Sequence, residues 1–97
     1  MTTAASPTRV RLRIEGLVQG VGFRAFVERE ARSRGLDGWV RNRRDGGVEA
    51  VLAGAAGQVE DMVAICRQGP RGSRVDMVKV LYAGEAVAQG FEVRPTV

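Results

Sequence analysis

Apolar positions in this chain of 97 residues recur first at every second residue and then at helical spacing, and that switch happens twice. Val10, Leu12 and Ile14 alternate with Arg9, Arg11 and Arg13, the pattern of a half-buried strand with arginines on its wet side. Phe23, Phe26, Val27 and Ala31 then follow helical spacing as far as Arg34, and Gly35 stands where a left-handed cap ends a helix. Gly38 to Arg41 and Gly47 to Ala53 form two strand-like runs joined by an Asp-Gly turn within Arg43 to Gly46. Val59, Met62, Val63 and Cys66 make a second helical stripe that ends near Gln68, where Gly69-Pro70 stops it. Val75 to Tyr82 is a fourth strand in which Val75 and Met77 alternate out of step with Val78 and Val80, as a bulge would make them. A short last strand is expected at Phe91 to Arg94.

The order strand, helix, strand, strand, helix, strand predicts an α+β fold, a split βαβ sandwich with both helices on one face of an antiparallel sheet of four to five strands. Its first and third strands are central, and its first and second run parallel with the third between them. The C-terminal ends of the first two strands then emerge at one edge, two strand spacings or about 9.6 Å apart. That places the loop Gly16 to Gly22 opposite Asn42 across a gap of phosphate size. Residues 9–95 are expected to form the domain. Residues 1–8 are expected to be a disordered tail, since they have neither a basic start nor the apolar core of a secretory signal.

Composition removes several kinds of chemistry. Cys66 is the only cysteine and there is no histidine, so no intramolecular disulfide, zinc site of the usual ligands or histidine-based catalysis can be built. A carboxylate-only magnesium site stays possible in principle, but no metal or cofactor is expected. Neither a disulfide framework nor an apolar membrane span is present, so the cytoplasm is the default location. The net charge is +4, carried almost wholly by arginine with Lys79 the sole lysine. Such a surface favours anionic partners or simply solubility, and charge alone does not choose.

The stretch Gln19-Gly-Val-Gly-Phe-Arg24 lies between a strand and a helix start. Gly20 and Gly22 let the main chain turn and bring Gln19, Val21 and Phe23 amides near a ligand; the first helical turn adds unpaired N–H groups and the positive dipole end. Arg24 can fork onto the same anion. A glycine turn with a surface arginine is the plain alternative. No Gly-Lys-Ser/Thr ending is present, so this is not a Walker loop. Gly20, Gly22 and Ala25 match a dinucleotide fingerprint only weakly, because the second strand enters a hairpin instead of another βαβ unit. The Asn42 carboxamide can accept from a water while donating to a phosphoryl oxygen, although taken alone it more simply suits the turn. Arg41, Arg43 and Arg44 are expected to be solvated charges, Asp45 to shape the turn, and Phe23, Phe26, Trp39, Val63 and Cys66 to be core.

Gly16-Leu-Val-Gln-Gly-Val-Gly-Phe-Arg24, with Gly35-Leu-Asp-Gly-Trp-Val-Arg-Asn42, Asp45-Gly46, Val48-Glu49 and Gly69-Pro70, resembles the acylphosphatase family in order and over nearly all of Arg9 to Pro95. The resemblance implies the ferredoxin-like form of the sandwich and hydrolysis of acyl phosphates to carboxylate and inorganic phosphate. It places the phosphate loop at Gln19 to Arg24, the phosphate-binding arginine at Arg24 and the water-orienting asparagine at Asn42. Arg43 stands where some relatives have threonine, and Ser73 where alanine is common.

An acyl phosphate has a carboxylate leaving group that departs without protonation, so the lack of histidine suits this reaction. Phosphoryl transfer then depends mainly on placement and charge stabilisation. The protein offers no evident base, which leaves the substrate phosphate to take the proton. The partners implied are a small acyl phosphate and its phosphate product, with neither nucleic acid nor membrane, on a monomer. An RNA-binding sandwich would instead need exposed aromatics on its central strands, where this chain has arginines on the first and Glu49, Val51 and Ala53 on the third. A domain that only senses a carbamoyl-phosphate-like ligand is a further alternative, since related domains occur inside larger maturation enzymes.

Overall fold

The computed structural model describes residues 8–97. The elements run β1 (Thr8–Leu17), α1 (Phe23–Ser33), β2 (Asp37–Asn42), β3 (Val48–Gly54), α2 (Ala56–Gln68), β4 (Arg74–Tyr82) and β5 (Phe91–Val93). The expected tail lies outside the described residues except for Thr8, which pairs with Gly54 as the first residue of β1.

One five-stranded sheet has the order β4-β1-β3-β2-β5. The β1–β3, β1–β4 and β2–β3 pairs are antiparallel, as expected. However, β5 joins β2 in parallel, from Gly38 opposite Phe91 to Val40 opposite Val93, so the sheet is mixed and not purely antiparallel. The chain reaches this edge from β4 by crossing the sheet's outer face, which delivers it in the same direction as β2.

Alternation sends Leu12, Ile14, Val40, Ala50 and Leu52 to the helix side, where they bury against Phe23, Val27, Ala31, Val59, Met62 and Cys66. Phe26 and Val63 pack at the margin of this core, only partly buried. Trp39 is buried as expected but on the opposite face, with Val51 and Ala83 and with Val87 against them. The segment after β4 therefore covers part of the outer face, and β3 is buried on both sides.

The bulge accounts for the phase of the fourth strand. Glu15 pairs with Met77 and Gly16 with Val75, leaving Asp76 as the additional residue. The extra step turns Val75 to the side of Val78, and both pack against the main core.

Candidate active site

Two strand registers set the site. Ile14 of β1 and Asn42 of β2 both pair with Val48 of β3, so the end of β2 is level with the part of β1 that leads into the glycine loop. Val40 belongs to the helix-side core, and Asn42, two residues on, shares its face at the mouth of the sheet. The main chain there is tied down: Val97 N–H donates to the Asn42 carbonyl at 3.2 Å and Arg44 N–H to the Val97 carbonyl at 2.7 Å.

On the other side, Gly20 and Gly22 have φ of 76° and 78°, left-handed conformations that glycine adopts without steric cost. Gly22 is the cap of α1 and has no side chain to accept from the first turn, which contains no acidic residue. Amide donors and the positive dipole end are thus available to an anion. Arg24 follows at once in the same turn.

These parts meet in a cleft of about 330 Å³ lined by Val18, Gly20, Gly22, Phe23, Arg24 and Asn42, with Ala25, Glu28 and Val93 completing its wall. Arg24 and Asn42 are half-buried. Gln19 and Val21 do not line it. Val21 packs against the core, and the Gln19 side-chain amide donates to the carbonyls of Arg43 at 2.6 Å and Gly47 at 2.8 Å. Gln19 is therefore a strut between loop and hairpin. Glu28 was within reach of sequence reasoning, because it is one helical turn from Arg24; its carboxylate lies 3.1 Å from Arg32. Val93 was not, since nothing in the sequence signals that β5 joins β2 in parallel.

Arg41 and Arg43 are not the free solvated charges expected. Both donate to Glu49, a residue only 4% exposed on the outer face. Desolvation pushes the Glu49 carboxyl up, but hydrogen bonds and charge from Arg41, Arg11 and Arg43 outweigh it and hold the group below its ordinary range. Asp45 does shape the turn, accepting from Gly47 N–H at 3.0 Å, and that bond leads in lowering its pKa. Burial pushes the Cys66 thiol up to about 12, so it is an inert core residue.

A larger cleft of about 600 Å³ lies between the end of α1 and residues 87–94, without Arg24 or Asn42. Its Arg32 and Asp37 are used in the fold: Arg32 donates to the Phe91 carbonyl at 2.8 Å and Asp37 accepts from Gly90 N–H at 2.8 Å. Among the described residues, no three His, Cys, Asp or Glu side chains are grouped to hold a metal, and no helix is long and apolar enough to cross a membrane.

Sheet order and helix placement define a ferredoxin-like α+β domain, with a cleft between the glycine loop and the end of β2. The family model described as Acylphosphatase matches residues 10–93. The chain belongs to the acylphosphatase family. It is 52% identical over 99 aligned positions to an acylphosphatase of Rhizorhabdus wittichii, covering 100% of both chains. An acylphosphatase of Bradyrhizobium diazoefficiens is 53% identical over 94 positions, covering 91% of this chain and 95% of the relative. The crystal structure of acylphosphatase from Bacillus subtilis superposes with a TM-score of 0.83 at 36% identity, covering 89% of this chain and 97% of that one.

Proposed function

We propose that this protein hydrolyses the carboxyl–phosphate bond of acyl phosphates, using the cleft between the glycine loop and the end of β2. The observation that carries this reading is the presence of Arg24 and Asn42 in one cleft at the N-terminus of α1. Loop amides at Gly20, Gly22 and Phe23, the loop residues that line the cleft, grip the phosphoryl oxygens together with the Arg24 guanidinium. Asn42 accepts from a water and aims its oxygen at phosphorus, in line with the acyl oxygen.

The water oxygen forms a bond to phosphorus as the bond from phosphorus to the acyl oxygen breaks. The leaving electron pair stays on the carboxylate, and the proton from water passes to a phosphoryl oxygen. Charge that spreads over the equatorial oxygens meets donors already in place, which is where the rate gain arises. No metal or cofactor enters this scheme. The unit of activity is a monomeric domain over residues 9–95, working in the cytoplasm. The RNA-binding alternative loses its footing because Trp39, the aromatic on the outer face of β2, is buried against Val51 and Ala83, and Arg11, Arg41 and Arg43 around it are engaged in ion pairs with Glu49.

The test is release of benzoate and phosphate from benzoyl phosphate with a chelator present. Turnover that persists supports the reading. No hydrolysis, or hydrolysis abolished by the chelator and restored by a divalent cation, contradicts it.

A further inference from the structure

Glu49 is the buried charged residue of the sheet, and its two oxygens are divided among three arginines. One oxygen, Oε1, accepts from Arg41 Nε at 2.9 Å and from Arg43 Nη1 at 3.1 Å, while Oε2 accepts from Arg11 Nη1 at 2.5 Å. Arg41 and Arg43 are the residues on either side of Asn42. We propose that Glu49 is a positioning residue for the hydrolysis assigned above: it clamps both flanks of Asn42 from the outer face, so that the carboxamide enters the cleft at one fixed angle. This inference rests on that functional reading.

The sheet geometry makes the clamp specific to Asn42. Arg41 lies directly across from Glu49 in the β2–β3 register, and Asn42 lies across from Val48. Alternation sends the arginine heads to the outer face and the asparagine to the helix face. β2 ends at Asn42, so ladder pairing alone does not restrain Arg43. Arg43 is instead held through its main chain to Gly47 at 2.8 Å and through its head to Glu49. Its other acidic neighbour, Asp45, is 3.6 Å from Nε, which is buried without a hydrogen-bond partner. Without the Glu49 charge, three guanidiniums repel one another, and Asp45 on the exposed side of the turn becomes the carboxylate that draws Arg43. The main-chain bonds to Gly47, Val97 and Gln19 remain, but the strand end is free to twist about them, and the Asn42 carboxamide leaves its fixed angle. A displacement of the order of 1 Å at a group that aims a nucleophile is enough to lower a rate up to ~100-fold.

A mutant cycle on benzoyl phosphate hydrolysis separates positioning from general support. Glu49→Gln keeps the shape and one acceptor oxygen but removes the charge. It is expected to lower kcat about tenfold while inhibition by inorganic phosphate changes less than about twofold. Placed in an Asn42→Ala background, the same substitution is expected to lower kcat by less than about twofold further, because the residue it acts through is gone. An undiminished kcat in the single variant overturns the proposal, and so does an equal loss with and without Asn42. Should E49Q not melt cooperatively, Arg43→Gln severs one arm of the clamp and takes its place in the cycle with the same expectations. Absence of hydrolysis by the wild type, or an N42A variant as fast as wild type, defeats the functional reading instead. The clamp is then tested by the Asn42 side-chain amide resonance in E49Q: a shifted or broadened signal sustains it, and an unchanged one overturns it.

Discussion

The side-chain amide of Gln19 donates to the main-chain carbonyl of Arg43 at 2.6 Å, joining the glycine loop to the residue after Asn42. The same amide donates to the Gly47 carbonyl at 2.8 Å, across the neck of the β2–β3 turn. Loop and hairpin are 24 residues apart in sequence, yet one side chain sets their spacing. Replacing it with alanine removes both bonds, while the Arg43 carbonyl still accepts from Gly46 N–H at 3.1 Å and the Gly47 carbonyl from Arg43 N–H at 2.8 Å, so the cost is about 0.5–1.5 kcal/mol for each bond lost. Gln19→Ala is expected to unfold at lower urea concentration and to bind phosphate more weakly, as denaturation curves and phosphate inhibition will report.

Two glycines fail in different ways. A Cβ at Gly22 meets nothing within 4 Å, so Gly22→Ala bears only the left-handed penalty at φ 78°, roughly 1–2 kcal/mol. It is expected to fold while losing phosphate affinity as the loop relaxes. A Cβ at Gly38 lies 1.8 Å from the Val51 carbonyl oxygen, main chain that cannot step aside without breaking the β2–β3 ladder. Gly38→Ala is expected to lose cooperative thermal unfolding altogether.

Most of the fold was legible because its signals are local. The periods of Leu12 and Ile14, of Val27 and Ala31, and of Val59, Met62 and Cys66 each name a core-facing stripe, and all of these residues are buried in one core. From those elements, the place of β3 between parallel β1 and β2 follows almost without choice, whereas the shared register of Ile14 and Asn42 against Val48 is set by the ladders themselves. What escaped depends on pairings between distant segments. β5 is three residues long, and its parallel partner is settled only by the path of the chain over the outer face. That path buries Trp39 on the face away from the helices. Glu49 looks like a solvent-facing residue in alternation, and only arginines arriving from β1, β2 and the turn make its burial tolerable.

Cys66 supplies the pH dependence. Its folded-state pKa of about 12 lies above the ordinary thiol value of 9.0 because ionisation would place a charge in the core. Between those two values the unfolded chain has released the proton and the folded chain has not. Stability from this group is therefore complete below about pH 9 and is lost as pH rises toward about 12. Cys66→Val is expected to flatten that alkaline decline in urea midpoints. The native thiol is expected to ignore a disulfide reagent at neutral pH and to react once the protein is unfolded.

Glu28 adds a negative charge to the wall of the cleft, tempered by Arg32 at 3.1 Å. An acyl group bearing its own carboxylate is disfavoured there relative to a neutral one. Glu28→Gln is expected to raise kcat/KM for carboxylated acyl phosphates about threefold over benzoyl phosphate, the effect of one charge at ~6 Å in water-like surroundings. Equal change for both substrates would remove Glu28 from substrate choice.

The division of labour between residues 24 and 42 is tested most directly by one set of kinetics. Steady-state hydrolysis of benzoyl phosphate, with inorganic phosphate as inhibitor, is compared for the wild type, Arg24→Ala and Asn42→Ala. Losing Asn42 is expected to lower kcat by at least ~100-fold, the scale of a single preorganised donor, while phosphate inhibits as before. Losing Arg24 is expected to weaken phosphate inhibition and turnover together. Near-normal turnover without Asn42, or unaltered phosphate inhibition without Arg24, would contradict the assignment.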